Sequence, residues 1–379
     1  MNRRKFLTIL GGGVILAAGA GAYRLGQSPQ TAFEPWARAG TAYAEPRRKA
    51  LSYAILAPNP HNMQPWLVDL SQPGTVILSV DPAKMLPHTD PHNRQITIGL
   101  GCFLELMVMA AAQDGYRVGL ELFPQGEDAQ SLGEKPVAIA RFVADKSVQP
   151  DPLFVHVMDR RSVKEPYDTS RTVERTKLNT IVAAARDVKT DATSEQDQIA
   201  ALRNLTTQAS TVEMETPRTH KESVDVFRIG AAEIDANPDG IDLSGPMIEA
   251  LSATGLLTRE GSLEPGSTGF EEGRKIIMSQ MATSMGFVWL VSPANTRLDQ
   301  IKAGRDWVRV HLAATGEGIS VQPTSQALQE YAEMEPFYNR VHEMLAPQGG
   351  TVQMLARLGY HEPVPASPRW PLEAKIVES

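Results

Sequence analysis

The chain has 379 residues, with 37 Lys and Arg against 44 Asp and Glu and a formal net charge of −7. Hydrophobic residues at 42% and charged residues at 21% are ordinary for a globular chain, which excludes a disordered protein, a coiled coil and a polytopic membrane protein. The acidic balance argues against nucleic acid as a partner, and the single cysteine, Cys102, excludes a disulfide framework, an iron–sulfur cluster and a Cys-rich zinc site.

The N-terminus reads as an export signal. Arg3, Arg4 and Lys5 precede an uncharged apolar run from Phe6 to Ala22 that carries five glycines. Ala20-Gly21-Ala22 offers a small-residue cleavage site. The string Arg3-Arg4-Lys5-Phe6-Leu7 resembles the twin-arginine type. Residues 1–22 are therefore expected to engage the export machinery and deliver a folded protein to the periplasm, anchored to the membrane if the signal is not cleaved.

Residues 23–44 read as a polar linker. Glu45-Pro46 opens a helix in which Ala50, Leu51, Ala54 and Ile55 share a face, ended by Pro58 and Pro60. Trp66 to Leu70 and Thr75 to Val80 read as strands around Gln72-Pro73-Gly74. Gly101 to Gln113 is too long and too apolar for a strand and reads as a buried helix, stopped at Asp114-Gly115. Arg117 to Phe123 and Val137 to Val143 read as strands.

A second half begins near Asp151. Thr176 to Arg186 reads as a helix, 187–222 as polar with helical character, and 236–275 as loop-rich. Phe287 to Val291 reads as a strand and Lys302 to Thr315 as a helix stopped at Gly316-Glu317-Gly318. From Pro347 a tail with five prolines reads as a final extension.

The two halves echo each other. At a constant offset of 203 residues, Gly101 meets Gly304, Ala110-Ala111 meets Ala313-Ala314, Gly115 meets Gly318 and Val118 meets Val321. Both stretches read as helix, glycine stop, strand, the pattern of an internal duplication.

Two segments carry candidate chemistry. In Ala57-Pro58-Asn59-Pro60-His61-Asn62-Met63-Gln64-Pro65-Trp66 three prolines stiffen a loop whose amides offer donor and acceptor pairs without charge. Such a loop suits a flat heteroaromatic ligand, although it also reads as an ordinary helix-to-strand turn. Arg160-Arg161-Ser162-Val163-Lys164 places three cations and a hydroxyl together, a match for phosphate oxygens or else a solvated basic turn. Pro91 between His88 and His92 argues against a helical zinc site, so no metal is expected. No G-x-S-x-G elbow accompanies Ser162 or Ser325, which argues against a serine hydrolase.

These two motifs, with Ser367-Pro368-Arg369-Trp370-Pro371 near the C-terminus, resemble those of the nitroreductase superfamily of flavin enzymes. The layout resembles its double-length Acg-type branch, from roughly Glu45 to Pro371. The resemblance implies an α+β fold of two fused nitroreductase-like halves that mimic the family homodimer. The first half is 45–150; the second is 151–379, with an insertion at 187–285 and a C-terminal extension. It implies one FMN per chain in a composite site. Arg160, Ser162 and Arg369 would hold the phosphate, with Arg161 adding contacts and Lys164 toward the ribityl chain or pyrimidine edge. Pro58, Asn59, Asn62 and Gln64 would come from the first-half loop, and Pro323 and Ser325 would lie near flavin N5. No catalytic side chain is implied. The function implied is reduction of a small nitroaromatic or quinone-like molecule by hydride transfer, with NAD(P)H as the family's usual donor; the alternative is an FMN-sequestering protein with little turnover. A fused pair is expected to be monomeric.

Overall fold

A computed structural model describes residues 28–377. The expected export signal, 1–22, lies outside the described residues. In chain order the first elements are helix α1 (Glu34–Arg38), helix α2 (Pro46–Ala54), strands β1 (Trp66–Asp69) and β2 (Thr75–Val80), helix α3 (Arg94–Gln113), and strands β3 (Tyr116–Leu122) and β4 (Ala138–Ala144). Helix α4 (Arg175–Ala183) and strand β5 (Lys189–Thr193) follow. A mainly helical stretch then holds α5 (Gln196–Glu215), α6 (Pro217–Asp225), β6 (Phe227–Ile229), α7 (Ala231–Ala236), β7 (Ile241–Leu243), α8 (Pro246–Ala253), α9 (Arg259–Leu263) and α10 (Thr268–Ala282). The chain closes with β8 (Gly286–Ser292), α11 (Arg297–Gly316), β9 (Ser320–Pro323), α12 (Glu335–Leu345), β10 (Thr351–Gly359) and β11 (Ile376–Val377).

The α+β fold is built twice. One sheet runs β11-β1-β2-β4-β3 and the other β5-β8-β10-β9. Within the stretches β1-β2-β4-β3 and β5-β8-β10-β9 every neighbouring pair is antiparallel. Each unit is a helix, two paired strands, a 20-residue core helix, an outer strand and a last strand inserted between its predecessors. In the first unit β1 and β2 form a hairpin whose turn carries Gly74 at φ 67. In the second, β5 and β8 are separated by the helical stretch α5 to α10. The short strand β11 runs parallel to β1, so the C-terminus is added to the first unit's sheet.

The core helices α3 and α11 cross at the glycines that the sequence echo aligns. A Cβ on Gly101 would lie 2.4 Å from the Ile301 carbonyl oxygen, and one on Gly304 would lie 2.0 Å from that of Ile98. Only glycine at both positions lets the backbones approach this closely. The Cys102 thiol donates to the Gly304 carbonyl at 3.1 Å across the same contact. Both aligned stops, Gly115 and Gly318, have positive φ, at 74° and 67°, where glycine ends a helix at least cost. Helix α3 buries apolar residues all round. Helix α11 also buries polar residues, among them Asp306, which accepts from the backbone N–H of Arg186, Asp187 and Val188.

Four expectations are corrected. Helix α3 starts at Arg94 rather than Gly101, because Asp90 accepts from the N–H of Gln95 and Ile96 at its first turn. The tail from Pro347 contains β10, a central strand with eight of nine residues buried, so four of its five prolines follow the strand rather than define it. The presumed linker contains α1, whose Trp36 is buried and donates through Nε1 to the Ser367 carbonyl at 2.8 Å. The stretch 187–222 opens with β5, a strand too polar to stand out because one side of it is exposed.

Candidate functional site

The loop after α2 is backbone-strained and held from several sides. His61, Asn62 and Gln64 have φ of 46°, 55° and 52°, a region that costs a non-glycine residue about 1–3 kcal/mol and persists only where its surroundings over-determine it. They do. Asn59 Oδ1 accepts from the Gln64 N–H at 2.7 Å, and Asn62 Nδ2 donates to the Pro368 carbonyl at 3.0 Å. Gln64 is fully buried: its Nε2 donates to the Pro238 carbonyl at 2.7 Å, and its Oε1 accepts from the Trp370 N–H at 2.9 Å. Lys375 Nζ donates to the Gln64 carbonyl at 2.8 Å.

This loop forms one wall of a cavity of about 250 Å³. Pro58, Asn59 and Asn62 line it from the first unit. Arg160, Arg161, Ser162 and Lys164, Pro323 and Ser325, and Arg369 from the C-terminal segment line it as well, and Arg369 Nη1 donates to Asn62 Oδ1. Ten of the eleven residues expected to hold the cofactor thus share one cavity. Gln64 is the exception, since its side chain ties the loop to its supports. The basic segment is fixed by β9: Ser162 bridges Val321, and the Val163 N–H donates to the Val321 carbonyl at 2.9 Å.

Arg369 of this cavity feels the Asp242 charge on β7 only from beyond ion-pair distance. Arg160 and Arg369 are buried and Arg161 half-buried, and among the described residues none of the three makes an ion pair with a carboxylate. Arg160 and Arg369 both donate to the Leu56 carbonyl, at 2.9 and 3.1 Å. The Nε groups of Arg161 and Arg369 are buried without an acceptor. The Arg161 guanidinium stacks 4.7 Å from the Trp36 ring centre. Burial, and then the like charge of Arg161, pushes Arg160 down to about 10; burial, and then Arg160, pushes Arg369 down to about 9. Unpaired buried donors and mutually repelling cations are costly in isolation, and an anion with several acceptor oxygens satisfies both. A phosphate group fits this donor set.

Sequence reasoning missed several wall residues. Trp36 lay in the presumed linker. Gly99 and Cys102 on α3 and Trp307 on α11 carried only the signature of core helices. Glu213 on α5 and Gln329 after β9 also line the cavity and carried no motif.

No protein-family model matches the chain. Two Mycobacterium tuberculosis proteins do match along most of their length. The candidate NAD(P)H nitroreductase Acg is 24% identical over 336 residues, 86% of this chain and 93% of that protein. The candidate NAD(P)H nitroreductase Rv3131 is 26% identical over 345 residues, 88% and 92%. The chain resembles the Acg-type nitroreductases. The match spans both units, so these relatives share the double length. Among solved structures, a candidate nitroreductase from Anabaena variabilis covers 90% of this chain and 91% of its own, at 13% identity and TM-score 0.44. The FMN-dependent nitroreductase NfnB of Mycobacterium smegmatis, solved with NADPH, covers 58% of this chain and 94% of its own, at 14% identity and TM-score 0.36.

Proposed function

We propose that this protein is an FMN-dependent oxidoreductase of the nitroreductase type, reducing a small nitroaromatic or quinone-like molecule in one composite site. The observation that carries this reading is the cluster of Arg160, Arg161 and Arg369, free of carboxylate partners, at one end of a cavity walled by the strained loop. Arg160, Ser162 and Arg369 hold the phosphate, Arg161 braces it from the Trp36 face, and Lys164 adds positive charge toward the flavin ring. Pro58, Asn59 and Asn62 present a rigid surface for that ring, and Pro323 and Ser325 bound it from the second unit. Gln64 keeps the loop in its strained form. Bound FMN supplies hydride transfer between a donor, NAD(P)H in the relatives' names, and the acceptor. The chain's own residues bind, orient and exclude water.

The two units play unequal parts, as in a fusion of two ancestral halves in which one loop and one clamp survive to make a single site. The chain is then self-sufficient as a monomer. Residues 1–22 direct it to the periplasm by the twin-arginine route; replacing Arg3 and Arg4 with Lys leaves it in the cytoplasm if this is right. The cofactor is tested by absorbance of the purified protein with flavin released by heat. One FMN per chain, bleached by NADPH and recoloured by a quinone, is expected. Two flavins per chain, or none after incubation with FMN, contradicts the reading.

A further inference from the structure

We propose that Glu213 is the proton donor of this cavity, its carboxyl group giving the bound acceptor the proton that must accompany each hydride. The inference rests on the oxidoreductase reading above. A quinone plus a hydride and a proton gives a hydroquinone. A nitro group plus a hydride and a proton gives a nitroso group and water. In both, the hydride carries the electron pair from the reduced flavin, itself reduced by a nicotinamide donor, and a separate group must supply the proton.

The geometry singles out Glu213. It stands on α5, is buried, and lines the cavity together with Gln329. Gln329 Nε2 donates to Glu213 Oε2 at 2.6 Å. The other oxygen, Oε1, has only the Ser223 hydroxyl, at 3.3 Å. A protonated Glu213 thus has its acceptor oxygen engaged and its O–H on the less encumbered oxygen. Gln329 Oε1, also buried in this wall, has no partner, so a free acceptor sits beside the donor. After the proton leaves, the Gln329 amide and the Ser223 hydroxyl remain as donors to the carboxylate.

Burial and the Glu222 charge favour a proton on Glu213, while the Gln329 and Ser223 hydrogen bonds oppose it. Glu222, from α6, accepts from the His88 and Thr89 N–H groups and the Thr89 hydroxyl. Tyr331 faces Glu213 from the segment after β9, its hydroxyl buried. Arg218 is engaged elsewhere, in a bidentate pair with Glu333 and over the Tyr331 ring. Burial, assisted by the Glu222 charge, pushes Glu213 up to about 7, where it both holds and releases a proton near neutrality. Of the other titratable groups of the wall, His61, Cys102 and the three arginines fit less well. Burial pushes His61 down to about 4, and it also pushes the Cys102 thiol up. Arg160, Arg161 and Arg369 are permanent cations at neutral pH.

The test compares wild type with Glu213→Gln, both loaded with FMN. Dithionite-reduced protein is mixed with menadione, and reoxidation is followed by stopped flow from about pH 5 to about pH 9. Wild type is expected to slow above about pH 7, and Glu213→Gln to be slower by roughly 10²-fold and flat with pH. Both should hold FMN equally. Thermal melts give a readout without turnover. A folded-state value raised above the unfolded one means that the folded protein binds the extra proton. The stability so gained is full at low pH and is lost as pH rises through about 7. Wild type should therefore lose stability over that window relative to Glu213→Gln. A wild-type rate with no break near neutrality overturns the proposal, whatever the variant does, as do equal pH profiles in both proteins. Wild type that takes up no FMN overturns the oxidoreductase reading itself, and the proposal with it.

Discussion

Two clusters of arginine lie on the faces of the crossing core helices, and they are solved in opposite ways. Arg186, Arg305 and Arg309 meet Glu105 and Asp151: Arg309 lies 3.0 Å from Glu105 and 2.7 Å from Asp151, Arg305 2.8 Å from Glu105, and Arg186 2.7 Å from Asp151. Arg160, Arg161 and Arg369 meet carbonyls and an aromatic ring instead. The 203-residue offset aligns Arg305 with Cys102, which lines the cavity. Corresponding places in the repeat are thus closed by the protein's own ion pairs in one case and left open beside arginines without an ion pair in the other. Under the proposed function, the cluster paired with carboxylates is structural and the unpaired one is where an anion would bind.

Breaking the paired cluster should cost stability. Arg309→Ala leaves the buried Glu105 and Asp151 each short of a partner, and the expected loss is about 3 kcal/mol in urea unfolding. A loss below about 0.5 kcal/mol, the scale of an ordinary surface change, would mean the cluster is solvated. Gly304→Ala attacks the crossing that separates the clusters. Its Cβ would press on the Ile98 carbonyl and the Gly101 backbone, so a loss of roughly 1–3 kcal/mol is expected. An unchanged melt would show that the helices pack more loosely than described.

The smallest effect sharpens the open cluster. Asp242 on β7 is the carboxylate whose charge is felt by Arg369 and, more strongly, by Lys164. Asp242→Asn removes a competitor of the phosphate and should tighten FMN by a few fold, about 0.5–1 kcal/mol. Weaker FMN binding in that variant would mean that Asp242 orients the cations rather than competing for them.

Much of the first unit was legible in the sequence because local rules agreed there. Glu45 caps the Arg48 N–H with Pro46 at the first helical position, Gly74 turns the hairpin, and Gly115 stops α3. The repeat was legible for the same reason: Gly101 and Gly304 are both fixed by one backbone contact. The second unit was harder to read because α5 to α10 interrupt the β5–β8 pair and β10 follows a proline-bearing turn. At the site, the loop and the basic segment announced themselves through composition. Trp36 did not, since its burial depends on Ser367, more than three hundred residues away. Glu213 did not either, since a Glu in a polar helix looks solvated until the fold buries it against Gln329. Gln64 carried a motif signal whose role is to hold the loop rather than to line the cavity.

Under the proposed function the open cluster holds a phosphate, and titration of FMN and riboflavin into apo-protein tests this most directly. Riboflavin has the same ring and lacks the phosphate. Leu56 keeps Arg369 as a donor when Arg160 is truncated, so Arg160→Ala should fold with little change. Wild type should prefer FMN, and Arg160→Ala should lose about 2–4 kcal/mol of FMN affinity, roughly 30- to 700-fold, while riboflavin binds both proteins alike. If Arg160→Ala binds FMN as tightly as wild type does, the cluster is not a phosphate clamp and the account is wrong.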